Sequence, residues 1–324
     1  MTTDRVREIL SYYQGENPGV LTNLARILNH GRLGGTGNVL ILPVDQGTEH
    51  GPGRSFSANP AGFDPRYHFQ LAIDARLSAY ASTLGMLEAG AAEFAGQVPL
   101  ILKTNGANIM STNKNQAVTA WVEDALRLGC AAVGYTIYPG SEDQFEMIEK
   151  LRALVAAARP VGLPTVCWSY PRGGMLTKDG ETALDVTAYA AHLAASSGAH
   201  IIKVKPPSKH IFYAEEIGEG DKKKPRDADT AKAYAGGNWE ESTLAQRAAH
   251  VIQAAFNGRR IVIFSGGPAK GEKEVLEEIE QLIAGGSFGT IMGRNSFQRE
   301  HDEAVALLNQ VMDRYEAAAK ARAA

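Results

Sequence analysis

From residue 38 onward, eight short apolar runs rich in β-branched residues alternate with long amphipathic stretches, and few of the runs show the one-sided pattern of a half-solvated sheet. Eight such units in about 250 residues predict an α/β chain closed into a (β/α)8 barrel. A third observation argues against the open doubly wound alternative. That sheet usually carries G-x-G-x-x-G after its first strand, whereas the first run here leads into "DQGTEHGPG".

The strands expected in order are "NVLILPVDQG", "LSAYAST", "PLILKTNG", "AAVGYTIYPG", "PTVCWSY", "AHIIKVKPP", "RRIVIFSGG" and "FGTIMGRN". The second is the weakest. Helices are expected over "NQAVTAWVEDALRLG", "SEDQFEMIEKLRALVAAARPVG", "ALDVTAYAAHLAASSG" and "EKEVLEEIEQLIAGG", where apolar residues recur at helical spacing. Gly129, Gly198 and Gly286 close such stretches, the position a left-handed C-cap requires. Residues 1–37 read as a helical, glycine-terminated extension to a single barrel domain over 38–324. A long charged insertion, about 208–237, follows strand six. It is expected either as a lid or as a solvated loop or oligomer contact.

The bulk numbers exclude several function classes. Of 324 residues, 44% are hydrophobic and 21% charged, with a net charge of −3, an ordinary soluble composition. A sequence pI near 6.3 lacks the basic footprint of a nucleic-acid binder. The N-terminus "MTTDRVREILSYYQGENPG" is charged where a signal peptide is apolar, and no apolar run approaches a membrane span, so a cytoplasmic location is expected. Cys130 and Cys167 stand far apart and read as free buried thiols.

Chemistry in a barrel belongs at the C-terminal ends of the strands. Those ends carry Asp45, then Lys103 and Asn105, Tyr135 and Tyr138, Trp168 and Tyr170, and Lys203 and Lys205. By period-two alternation Trp168 and Tyr170 share one face while Cys167 and Ser169 take the other; likewise Lys203 and Lys205 enter the mouth while Ile202 and Val204 face the helices. A lysine beside another in a confined site is driven towards the neutral amine, a nucleophile for carbonyls. The competing reading pairs both lysines with carboxylates such as Asp45. After strands seven and eight, "SGG" (Ser265, Gly266, Gly267) and "GRN" (Gly293, Arg294) offer bare amides, a hydroxyl and a guanidinium, the elements of a phosphate site. The eight histidines show no metal-ligand spacing; no metal and no cofactor are expected. His50 is expected either to hydrogen-bond substrate or to serve as a loop residue.

The pieces "VDQGTEHGP", "LILKTNG", "AAVGYTIYPGS", "WSYPRGG", "GAHIIKVK", "SGGPAK" and "MGRNSFQR" together resemble the archaeal-type class I fructose-1,6-bisphosphate aldolases, which also occur in bacteria. The resemblance spans about residues 38–300. It implies a Schiff base on Lys203, proton transfer by Tyr170, assistance from Asp45 and orientation of the tyrosine by Trp168. It further implies one phosphate on Ser265, Gly266, Gly267, Gly293 and Arg294, and contacts from Gln46, His50, Arg172 and Lys205 to the rest of the sugar. The chain departs from the family at "VDQG", where Gln46 replaces a histidine, and at "KPPSKH" after the lysine strand. The implied activity is reversible cleavage of fructose 1,6-bisphosphate to dihydroxyacetone phosphate and glyceraldehyde 3-phosphate in glycolysis and gluconeogenesis. A Schiff-base aldolase or acyl-transferase for another phosphorylated ketose, and a non-catalytic phosphosugar-binding barrel, stand as alternatives. The expected partners are a sugar phosphate and further copies of the chain, with neither nucleic acid nor membrane.

Overall fold

A computed structural model describes residues 2–113, 115–219, 222–266 and 271–323. Eight parallel strands close into a barrel: β1 (Val39–Val44), β2 (Ala79–Thr83), β3 (Leu100–Lys103), β4 (Ala132–Ile137), β5 (Thr165–Ser169), β6 (Ile201–Val204), β7 (Ile261–Ser265) and β8 (Gly289–Ile291). Each pairs with its neighbours in sequence, and β8 returns to β1 through Val39 opposite Gly289. Every expected strand is present, including the weak second one. Its alanines face the crowded barrel interior, where small side chains are what fits.

Register decides which side chains meet. Directly paired residues of neighbouring strands share a face, and the pairs Thr83–Lys103, Lys103–Gly134, Thr136–Trp168, Trp168–Lys203 and Lys203–Ile263 place one parity of the strands around the barrel axis. The opposite parity faces the helices. Ser169 donates from Oγ to the carbonyl of Ala190 at 2.8 Å, and Tyr135, named above with the mouth residues, is buried in the helix layer instead, since it alternates with Gly134 and Thr136. Gly134 itself is a packing requirement. A Cβ there would lie 2.3 Å from the six-membered ring of Trp168, so the missing side chain is the space the indole occupies.

The outer layer follows the strands as α3 (Pro65–Asp74), α4 (Leu84–Glu88), α5 (Val122–Arg127), α6 (Gln144–Ala158), α7 (Leu184–Ser196), α8 (Leu244–Ala254), α9 (Glu272–Ala284) and α10 (His301–Ala323), numbered after two N-terminal helices, α1 (Asp4–Ser11) and α2 (Pro18–Leu28). Gly129, Gly198 and Gly286 have φ of 65°, 96° and 87°, the left-handed geometry expected of them. The stretch 115–129 is helical only from Val122. Its first part is extended and pairs through Ala117 and Val118 with Gly106 and Asn105 as a short hairpin above β3.

The insertion is folded. A hairpin (Glu216–Ile217 with Lys224–Pro225) and a helix (Ala228–Ala235) are anchored on the outer layer: Asp185 of α7 accepts from the amides of Phe212 and Tyr213 at 3.0 and 2.8 Å, and His250 of α8 meets the hydroxyl of Tyr234 at 2.9 Å. None of its described residues from 208 to 237 lines the cleft at the barrel mouth.

At the opposite end, the N-terminal segment caps the barrel floor. Thr3 and Asn17 cap α1 and α2 with their side chains, and between these helices Tyr13 is buried to 3% exposure. Its hydroxyl donates to the carbonyl of His200 at 2.6 Å and accepts from the amide of Ile261 at 3.0 Å, satisfying backbone groups at the starts of β6 and β7. His200 accepts at Nδ1 from the amide of Thr165 and turns Nε2 towards Glu16, 3.2 Å away. Tyr13→Phe removes both hydroxyl contacts and leaves that carbonyl and amide only their mutual hydrogen bond at 3.3 Å, which is expected to lower stability by about 0.5–1.5 kcal/mol. Urea denaturation with an unchanged m-value checks it; an unshifted midpoint would contradict the role.

Candidate active site

The C-terminal strand ends open into a cleft of about 600 Å³. One parity delivers its floor: Asp45 just beyond β1, Trp168 and Tyr170 from β5, Lys203 and Lys205 from β6, and Ser265 from β7. Lys103 of β3 belongs to the same parity and lies beneath the cleft lining, 1% exposed.

Two buried lysines face two carboxylates, and one lysine takes both. Lys103 Nζ donates to Asp45 Oδ2 at 3.1 Å and to Glu49 Oε1 at 3.3 Å. Glu49 reaches it because residues 46–50 form a short helix. Burial opposes the Lys103 charge, yet Glu49 and Asp45 raise its pKa above the ordinary lysine range. Burial likewise works against ionised Asp45, but Lys103 and then Lys203 outweigh it and hold that carboxyl low.

Lys203 makes no ion pair among the described residues. Its Nζ stands 5.5 Å from the centre of the Trp168 ring and 5.4 Å from that of Tyr170, and the residue is 5% exposed. Desolvation pushes its pKa down to about 8; Asp45 and Glu49 oppose this, while Lys103 and Arg294 reinforce it. The like charge beside Lys203 is therefore Lys103, and not Lys205 as alternation alone suggested. Lys205 lies past the strand end, its side chain 26% exposed, and leans 3.4 Å from Glu181, which also pairs with Lys178 at 2.9 Å. The carboxylate-paired alternative thus describes Lys205 and leaves Lys203 apart.

Tyr170 is partly buried, and its phenol pKa is raised strongly, first by desolvation and then by the Asp45 charge, with a hydrogen bond to Ser265 acting the other way. It stays protonated near neutrality and so is equipped to give up a proton. Trp168 is near both lysines, Lys103 Nζ being 5.6 Å from its ring centre.

Ser265, Gly266, Gly293 and Arg294 line one end of the cleft, joined by Arg54 and His50. Gly267 falls outside the described residues. Arg294 opens a short helix, Arg294–Phe297, and Asn295 donates to the carbonyl of Gly266 at 3.0 Å, which ties the loop after β7 to that after β8. Burial lowers the pKa of Arg294, as it does that of His50. The other end presents Arg172, Lys178 and Lys205. Arg172 packs over the Tyr138 ring at 4.9 Å, and the Tyr138 hydroxyl accepts from Gln116 at 2.7 Å. Buried polar atoms of three cleft residues, Gln46 Oε1, Trp168 Nε1 and Arg172 Nε, have no partner among the described residues and are placed to meet a hydroxylated, anionic ligand.

All the expected site residues that are described fall in or around this cleft. Sequence reasoning missed Glu49, Arg54, Lys178 and Glu181 as site groups and gave Lys103 no role, although its parity with Lys203 was available. Competitive acetylation should find the Lys203 amine titrating near pH 8, against about 10.4 for an ordinary lysine. A midpoint at the ordinary value would mean the pocket does not desolvate it.

Known proteins match this chain over most of its length. The sequence model of the DeoC/LacD family aldolases matches residues 39–299. A probable class 1 fructose-bisphosphate aldolase of Chlamydia muridarum is 37% identical over 308 residues, 92% of this chain and 85% of its own. The class 1 fructose-bisphosphate aldolase of Thermoproteus tenax is 36% identical over 265 residues, 81% and 84% of the two chains. An archaeal fructose-1,6-bisphosphate aldolase solved with its catalytic lysine covalently bound to the carbinolamine intermediate superposes with a TM-score of 0.70 at 31% identity, covering 89% of this chain and 97% of that one.

Proposed function

The chain belongs to the DeoC/LacD family of aldolases, and we propose that it cleaves fructose 1,6-bisphosphate reversibly through an imine on Lys203. It is a class I aldolase, a lyase of the Schiff-base type. The observation that carries the assignment to Lys203 is the uneven sharing of charge in the mouth: Lys103 holds both carboxylates, and Lys203 is left as a desolvated amine with a pKa of about 8 beside a protonated phenol.

The steps follow from these groups. The neutral Nζ of Lys203 adds to the C2 ketone of the open-chain sugar, and loss of water from the carbinolamine gives a protonated imine. The C4 hydroxyl loses its proton as the C3–C4 bond breaks, the bonding electrons pass into the imine, and glyceraldehyde 3-phosphate leaves. The C4 proton passes to solvent, Tyr170 delivers its own proton to C3 of the resulting enamine, and the phenolate regains one from solvent, so the proton released at C4 balances the one added at C3. Water then adds to the imine carbon and dihydroxyacetone phosphate is released. Asp45, held ionised and turned towards Lys103, stabilises the cationic imine without pairing tightly with the free amine. Trp168 fixes the angle of the tyrosine. Ser265, Gly266, Gly267, Gly293 and Arg294 take one phosphate; Arg172 and Lys205, with Gln46 and His50, take the remainder of the sugar phosphate.

We assign residues 38–324 to one catalytic unit and 1–37 to its extension. The reading extends to glycolysis and gluconeogenesis in the cytoplasm, and to assembly of several copies. Phe145, Met175 and Tyr189, 73%, 66% and 55% exposed around a second cleft between α6 and α7, supply apolar surface that such assembly would bury. Among the described residues no helix is long and apolar enough to cross a membrane.

Borohydride reduction with dihydroxyacetone phosphate, followed by mass spectrometry, tests the nucleophile. The adduct is expected on Lys203 and lost in Lys203→Met, whereas Lys205→Met still traps but binds substrate poorly. An adduct on Lys205, or on neither lysine, overturns the mechanism. Tyr170→Phe should retain trapping while turnover drops by roughly 10²–10⁴-fold; wild-type kcat would remove the phenol from proton transfer.

A further inference from the structure

We propose that Lys103 is a positioning residue for this reaction: by engaging Asp45 and Glu49 together it withholds both carboxylates from Lys203, so that the imine-forming amine stays unpaired. The inference rests on Lys203 being that amine, and it assigns a part to a side chain that the mechanism above leaves unused.

The geometry carries the argument. Lys103 is 1% exposed and does not line the cleft, so it has no access to the reacting carbons. A buried ammonium with no role at hand is costly to keep, yet this one has excellent partners at 3.1 and 3.3 Å. The groups facing Lys203 come from several elements: Asp45 and Glu49 after β1, Lys103 from β3, Tyr170 from β5, Ser265 from β7 and Arg294 after β8. Near neutral pH the three closest to the β1–β3 side sum to one negative charge, from two carboxylates and one ammonium. Without Lys103 the sum is two, and Lys203 is the next cation that acts on Asp45. The amine would then be drawn into the ion pair Lys103 now makes, and its protonated form favoured.

Two further features hold Lys103 in place. The indole of Trp168 packs beside both lysines, 5.6 Å from one Nζ and 5.5 Å from the other, and it fits there only because residue 134 is glycine. On the far side, Gln116 Nε2 approaches Glu49 Oε1 at 3.4 Å while donating to Tyr138, which keeps the glutamate directed at Lys103.

The test is the titration midpoint of the Lys203 amine, read by competitive acetylation and, independently, by the pH profile of kcat/KM. Lys103→Met should move both midpoints upward by about one pH unit, which at pH 7 is about a tenfold loss of reactivity regained at higher pH. Lys103→Arg, which keeps the charge, should hold them near the wild-type value. Glu49→Gln, which leaves Lys103 one partner and keeps one buried pair for folding, should move them downward, and serves if Lys103→Met does not fold. A midpoint that is unmoved in a folded Lys103→Met, or in Glu49→Gln, overturns the proposal. Because acetylation requires no substrate, this outcome is distinct from failure of wild-type enzyme to trap on Lys203, which would remove the premise by a different observation.

Discussion

Two ammonium groups buried in one barrel mouth are an electrostatic problem, and the way they divide two carboxylates sets the rest of the site. In water the cost would be small; among Trp168, Tyr170 and the apolar strand residues, each unbalanced charge is expensive. The solution is asymmetric. Lys103 takes Asp45 and Glu49 and is held firmly as a cation, and Lys203, with β7 and β8 between its strand and the one those carboxylates follow, is left with desolvation as its main influence. The same asymmetry keeps Asp45 ionised and Tyr170 protonated. Four titrating groups thus hold complementary states near neutral pH without a large net charge in the pocket.

The parts legible in the sequence were those governed by local period. Alternation in "WSY" and "KVK" assigned Trp168, Tyr170, Lys203 and Lys205 to the mouth, and Asp45 fell at the end of its strand. Glycines after helical stretches marked real left-handed caps at Gly129, Gly198 and Gly286. What was illegible depended on who sits opposite whom. Lys103 and Glu49 are 54 residues apart, and their meeting requires both the barrel closure and the short helix at 46–50, which no hydrophobic period announces in five polar residues. Gly134 reads as a flexible strand residue until the indole of Trp168 is placed against it. The hairpin at 105–118 hid within an apparently helical stretch, because its two strands are too short to show alternation.

The cleft also separates roles along its length. Around Arg294, amides and a guanidinium face the space at the ends of β7 and β8, and Asn295 ties its turn to Gly266 through a hydrogen bond. Towards Arg172, the cations Lys178 and Lys205 are partly neutralised by Glu181, so an arriving anion must displace an existing partner there. The two ends therefore differ in how ready they are for an anion, the first being preorganised and the second compensated.

The Tyr13 hydroxyl has a consequence for how the chain is made. Its two partners lie 187 and 248 residues further along, so the barrel floor cannot be completed until β6 and β7 have been synthesised. Helices α1 and α2 are made well before β6 and β7, with their apolar faces uncovered, and must wait for those strands before they can dock. Closure by so distant a contact makes the final step of folding slow and strongly cooperative, and it places the exposed interval, when association with other nascent chains is most damaging, before the later strands have been made.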